Sequence, residues 1–486
     1  MSEVKADDHR LIASADDLMP LYQGAGADAK TGVEVELAFF NPQSETLDAM
    51  SLAQNKVLKN AAAAALDGDW VHTEPTSEIL EAASIAGSSV DLRRIMDDLN
   101  TKIRVLSEKA EGLGLKRSYF QELPEKTAND LLSRIVGVER YQIMYAPYRA
   151  DMRETVRYFA VCKSNQVSVS YKNPDHALAN VRRLYLLAPF LFLLTDNSSG
   201  FMEGKAFSGH AGMWQRYNGL GQGRGNIMPY AVTAQSGEEF IASHIAHAYN
   251  NPLFMYYDEQ GTLQRVPSGD WTVTFETLKE RGLNTASNYF LAQSLIWPDV
   301  KIAALKDAAG NVVNHRYEAR MFGVGIHQHQ SALIITAALA FHERLAADVD
   351  ALLARYGFDL QDKQGTLSLL EEAYACARAH NGTFFDIAYG KGRMQDFARA
   401  FAGLLEDAAD DLGLDEELQP ILTICRTGYT DGKVNRLLFP TLDDVLRFQK
   451  TYSPDVFDTP NQCAKTLFAR ELSGACHAGD AAQCCR

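Results

Sequence analysis

Residues 31–41 read TGVEVELAFFN, and this short run decides how the chain is interpreted. Successive side chains of a strand point to opposite faces, so Val33, Val35 and Leu37 share one face while Glu34 and Glu36 share the other. One face is suited to a core and the other is polar, as in an antiparallel strand with one solvated side. Taken alone, the two carboxylates could be a solvent-facing edge. Their company points elsewhere. Glu74, Glu78 and Glu81 recur in HTEPTSEILEAAS (72–84), and in RYEAR (316–320) Glu318 and Arg320 again share a strand face. Clustered carboxylates repel unless a positive species lies among them, and a hard divalent ion such as Mg²⁺ is the usual one for an all-oxygen site. Mg²⁺ in turn suggests phosphate.

Working outward, SSVDLRRIMDDLNTKIRVLSEKAEGLGLK (88–116) predicts a helix. Ser88 or Ser89 is available to cap it, Leu92, Ile95, Leu99, Ile103 and Leu106 form its apolar stripe, and Gly112 stops it. A second strand with a polar face is predicted in YFAVCKSNQVSVSYKN (158–173), followed by a largely buried helix over 175–194. The chain then enters a glycine-dense stretch, 195–229, too polar for a core. Its glycines and its Lys205, Arg216 and Arg224 suggest a loop that closes over a site. Two further strands are predicted, in PLFMYYD (252–258) and DWTVTFE (270–276), ahead of SLIWPDVKIAAL (294–305) and NHRYEARMFGVG (314–325). From Ser331 the pattern is helical to about residue 413. This order predicts one catalytic α+β unit over 1–330 and a helical C-terminal region, 331–486, packed on it and ending in a cysteine-containing tail, 471–486.

Composition narrows the function classes. Of 486 residues, 47 are Lys or Arg and 62 are Asp or Glu, a net charge of −15 that argues against nucleic acid and anionic membranes as partners and for small-molecule substrates. The opening MSEVKADDHRLIASADD has no signal-peptide character, and the apolar run Leu184–Leu194 contains Pro189 and is too short to span a bilayer. A cytoplasmic protein, monomer or homodimer, is expected. The 7 cysteines are scattered and do not form a disulfide framework. No GxxxxGK[ST] loop is present, so a nucleotide would be held by metals and dispersed basic side chains.

Six short motifs, GVEVELAFF, WVHTEPTSEILE, ERYQIMYAPY, NQVSVSY, NSSGFMEGK and YEAR, occur in an order and approximate spacing that resembles the glutamate–cysteine ligases, particularly the plant-type and proteobacterial branch. They span roughly residues 30 to 330. The resemblance implies a glutamine synthetase-like fold, a curved antiparallel sheet forming a funnel flanked by helices, and an ATP- and Mg²⁺-dependent ligase. That enzyme joins glutamate to cysteine through an acyl phosphate, the first step of glutathione biosynthesis. It further implies Glu34, Glu36, Glu74, Glu81 and Glu318 as metal ligands, with Arg320, beside Glu318, stabilising transferred phosphoryl charge. Gln166, Lys205, Trp214, Arg216 and Arg224 would contact substrate or nucleotide. The chain departs from the family where Ser168 and Ser170 replace an Asn and an Asp, and around Met321–Gly323, which bears on amino-acid recognition.

Three other readings stand beside this one. A carboxylate–amine ligase of the same fold could take a different acid or amine. A metal-dependent hydrolase could use His327 and His329 of GIHQHQ, although a packed or hydrogen-bonded histidine pair fits that spacing better. A non-catalytic binding module would carry the carboxylate cluster's repulsion without benefit. The tail cysteines, with Cys463 upstream, could bind zinc or act as a redox switch, or belong to a disordered terminus.

Overall fold

Strand Thr31–Phe40 (β1) lies inside an antiparallel sheet of seven strands. The others are Val71–Thr73 (β2), Ile79–Ala83 (β3), Lys116–Arg117 (β4), Ser164–Ser170 (β5), Val300–Lys306 (β6) and Val312–Gly323 (β7). The computed structural model describes residues 8–145, 162–210, 227–267, 269–307, 309–379 and 387–452. Spatial order along the sheet is β6-β7-β5-β1-β3-β2, with β4 pairing the far end of β1, and the sheet curls into a half-barrel. Many helices surround it, so the class is α+β.

The alternation of β1 is realised as its residues dictate. Val33, Val35, Leu37 and Phe39 are almost wholly buried in the main core, and Val167, Val169, Tyr317, Ala319 and Ile302 extend that apolar face across β5, β7 and β6. Two apolar helices cover it. Gln328–Phe341 packs on β5, β1 and β7, and Pro174–Leu194 packs on β7 and β6. Asn173 caps the second helix by accepting from the His176 amide, and Pro174 occupies its first turn, where no amide donor is needed. This helix has 21 residues, longer than the apolar run seen in the sequence and long enough to cross a membrane. Yet 89% of its most apolar window is buried inside the protein, so its apolarity serves the core.

On the opposite face of β1 the character changes along the strand. Glu34 and Glu36 are followed by Ala38 and Phe40, which join Ile79, Leu123 and Cys162 in a separate apolar cluster. The polar patch therefore has an apolar end wall.

The helix predicted over 88–116 is Leu92–Glu111, led by a 3₁₀ turn, Ser89–Asp91, that Ser88 caps, and closed by Gly112. DWTVTFE is not a strand. Residues 271–274 are irregular and Thr274 caps a helix, Phe275–Lys279. The Val273 carbonyl accepts from the Leu253 amide at 2.7 Å, but among the described residues no strand pairs along this stretch, and strand propensity counts only on a paired, half-buried surface. Beyond Phe341 the described chain is helical apart from the small hairpin Ala388–Tyr389/Gly392–Arg393.

Candidate active site

The register of the sheet builds the site. Glu36 lies opposite Glu81 on β3, Glu34 opposite Gln166 on β5, Ser168 opposite Glu318 on β7, and Glu318 opposite Lys301 on β6. The five carboxylates of the sequence reading thus come together, but in two groups. Glu36, Glu74 and Glu81 offer ligand oxygens all within 4.8 Å of one another, and all three are buried. Glu34 and Glu318 sit beside Arg316, whose guanidinium lies 3.9 Å from Glu34 Oε1 and 3.5 Å from Glu318 Oε2.

Gln166 joins the groups. Its Nε2 donates to Glu36 Oε1 at 2.8 Å and approaches Glu81 Oε2 at 3.4 Å, while its Oε1 accepts from Arg320 Nη1. Arg320 Nη1 also donates to Glu318 Oε1. The other oxygen of Glu36 accepts from the Ser164 amide at 2.7 Å. Arg320 reaches this position from a β-bulge. Pairing of β7 with β5 slips between Ala319 and Phe322, so Arg320 and Met321 together face Gln166, with Met321 in the core.

Burial, with repulsion from Glu81 and Glu36, raises Glu74 well above the usual carboxyl range. Burial, with repulsion from Glu36 and Glu318, raises Glu81. Glu34 is pushed up to about 7 by burial and by Glu81 and Glu318. Glu318 behaves in the opposite way: burial pushes it up, but Arg320, Lys301 and Arg316 outweigh this and hold it at about 2. The triad is therefore under-compensated, while Glu318 is fully compensated by cations. Three hard oxygen donors whose mutual repulsion Arg320 offsets only in part fit a divalent ion of the Mg²⁺ kind.

Two pockets open on this face and meet at Arg140. The first, a cavity of about 40 Å³, is lined by Glu36, Glu74 and Arg320 together with the aromatic residues Tyr141, Tyr145 and Trp297. The second, of about 70 Å³, is lined by Arg140, Lys301, Lys306, Arg316 and Glu318 among others.

Lys205 stands exposed on the hairpin Phe201–Met202/Lys205–Ala206 and lines neither pocket. Trp214, Arg216 and Arg224 lie outside the described residues, as do the tail cysteines from Cys463 onward. The start of the glycine-dense stretch is not a free loop. Asp196, Asn197, Ser198 and Ser199 are buried, with Asn197 Nδ2 donating to the Tyr119 carbonyl at 2.7 Å and the Ser199 amide to Glu122 Oε1 at 2.5 Å. Polar residues enter this interior because their hydrogen bonds are made there. His329 is buried with Nε2 2.8 Å from Asn100 Oδ1, and His327 is the N-cap residue of the Gln328–Phe341 helix. Among the described residues the group able to hold a metal is the glutamate triad, not this pair.

Arg140, Lys301, Lys306 and Arg316 were missed in the sequence. Arg316 was within reach, since Arg316, Glu318 and Arg320 alternate on one strand. Arg140, Tyr141 and Tyr145 lie in ERYQIMYAPY, a motif with no local sign of its role.

No family model and no curated protein matches the sequence. Among solved structures the chain is similar to a bifunctional glutathione synthetase from Pasteurella multocida, at 11% identity and a TM-score of 0.43, over 96% of this chain and 58% of that one. It is also similar to a glutamate–cysteine ligase from Francisella tularensis in complex with AMP, at 10% identity and a TM-score of 0.45, over 95% and 98% of the two chains. The chain thus spans little more than half of the bifunctional enzyme.

Proposed function

We propose that the protein is an ATP- and Mg²⁺-dependent carboxylate–amine ligase, with glutamate and cysteine as the first pair to test. One observation carries the reading: a buried triad of glutamates, an arginine and two pockets converge on one face of a curled antiparallel sheet. Amide formation from a free carboxylate in water is uphill, and phosphorylation supplies a leaving group. When bound, Mg²⁺ would screen the triphosphate and polarise the transferred group. Glu36, Glu74 and Glu81 would hold it.

The chain's own residues supply the remaining steps. Arg320 is fixed by Gln166 and Glu318, so its planar guanidinium is aimed before substrate arrives, as electrostatic stabilisation of a developing charge requires. Tyr141, Tyr145 and Trp297 give the first pocket an aromatic wall suited to a nucleotide base. Burial of the site limits water, which competes with the amine for an acyl phosphate.

The test is ADP release with Mg²⁺ and ATP against a panel of acids and amines. Release that needs both glutamate and cysteine supports the full reading, and release with another pair keeps the ligase but replaces the substrates. No acid- and amine-dependent release across the panel overturns it.

A further inference from the structure

The second pocket has a charge pattern that the metal and nucleotide do not explain. Its described lining carries four cations, Arg140, Lys301, Lys306 and Arg316, and a single carboxylate, Glu318. That carboxylate is already engaged by Arg320 and Arg316. The lining therefore keeps a positive excess, and two of its cations are poorly served within the protein.

Lys301 is only 5% exposed, and its ammonium makes no hydrogen bond among the described residues. Its electrostatic partner is Glu318, directly opposite in the strand register. Half-buried Arg140 donates through Nη2 to the Ser294 carbonyl at 3.3 Å, while its buried Nε has no partner among the described residues. Donors left without acceptors in a buried setting cost stability, and a pocket lined by the Lys301 ammonium and the Arg140 guanidinium fits a ligand that supplies acceptors. Beside the polar Gln293 and Ser294, Phe290, Ile302, Ala303 and Ala304 give the lining apolar surface, which suits a short methylene chain between two charged ends.

We infer that this cationic pocket is the acid subsite, that it holds the non-reacting carboxylate of a short dicarboxylic acid through Lys301, Arg316 and Arg140, and that it does not require an amino group on that acid. The inference rests on the ligase reading and adds the substrate class to it. The direction of binding follows from the layout. One carboxylate lies among the cations, the methylenes cross the apolar strip, and the second carboxylate reaches Arg320, where the triad holds the phosphate donor. An ammonium on the acid would meet positive charge, and the pocket's one carboxylate is engaged. Glutarate should therefore bind as well as L-glutamate.

The test uses direct binding, which does not depend on turnover. The full-length protein, saturated with Mg²⁺ and a non-hydrolysable ATP analogue, is titrated with L-glutamate, glutarate and 4-aminobutyrate, which has a single carboxylate. Wild type should bind the first two with similar affinity and 4-aminobutyrate at least tenfold more weakly. Lys301→Met, which removes charge but keeps most of the packing volume, should weaken both dicarboxylates at least tenfold and the ATP analogue less than twofold. Lys301→Arg should restore most of the loss. Weakening of the ATP analogue alone would make this a phosphate subsite and overturn the inference, as would equal affinity for 4-aminobutyrate or failure of glutarate to bind. If the dicarboxylates bind as stated and no amine yields ADP, the ligase reading fails while the subsite stands.

Discussion

Replacing Glu81 with Gln should move stability in opposite directions with and without a divalent ion. In the triad, ligand oxygens lie within 4.8 Å of one another, and two unit charges at that separation repel by about 3.5 kcal/mol at an effective dielectric of ~20. The full repulsion is not expressed, because burial and the neighbouring charges raise Glu74 and Glu81, which favours their neutral forms over the charged ones. Glu81→Gln removes one charge, keeps the side-chain shape and retains an oxygen for Gln166 Nε2. A gain of about 1–3 kcal/mol in chelator is therefore expected. In Mg²⁺ at one hundred times its dissociation constant, wild type should gain about 2.7 kcal/mol over its metal-free state, and the variant should gain almost none. Urea unfolding in EDTA and in Mg²⁺ for both proteins reads all four values. A variant that is less stable than wild type in EDTA, with its Mg²⁺ response unchanged, would show that the triad is a structural hydrogen-bonded cluster, and the metal argument would fall.

Arg320→Lys should lower turnover by at least a hundredfold with little change in affinity for the ATP analogue, since lysine keeps the charge but cannot bridge Gln166 and Glu318; wild-type turnover would remove Arg320 from the chemistry. Gly323→Ala should cost more than about 3 kcal/mol, because the new Cβ would lie 2.3 Å from the backbone oxygen of Thr195; a thermal midpoint equal to wild type would contradict this. Burial lowers the pKa of His329 to about 3, so its neutral form favours folding above the unfolded value near 6.5 and that contribution is lost as pH falls, by about 2 kcal/mol at pH 5. The effect is read as the difference between wild type and His329→Gln at pH 7.5 and 5.0, because buried Glu78 and Glu122, both raised by burial, act in the opposite sense; parallel pH curves would count against it.

The outline of this protein was legible where periodicity is local. The alternation in TGVEVELAFF placed Glu34 and Glu36 on one face, and the run of 3–4 spaced apolar residues set the helix from Leu92. Local pattern failed where pairing decides. DWTVTFE has strand residues but no strand beside it, and the polar Asn197–Ser199 run is buried because its partners come from distant parts of the chain.

The sequence by itself determined which residue types were available: paired carboxylates on a strand, more of them at 74–81, and a Glu-x-Arg strand ending near 320. It could do so because side-chain direction along a strand follows from covalent geometry. Only the tertiary structure decided how those residues divide. Cross-strand register set Glu36 against Glu81 and Lys301 against Glu318, and a bulge after Ala319 aimed Arg320 at Gln166. Packing also brought Arg140 from a separate helix to the junction of the two pockets. Register and packing depend on which separate strands come to lie side by side, as where Arg320 meets Gln166 across a separation of 154 positions, so no local window of sequence decides them.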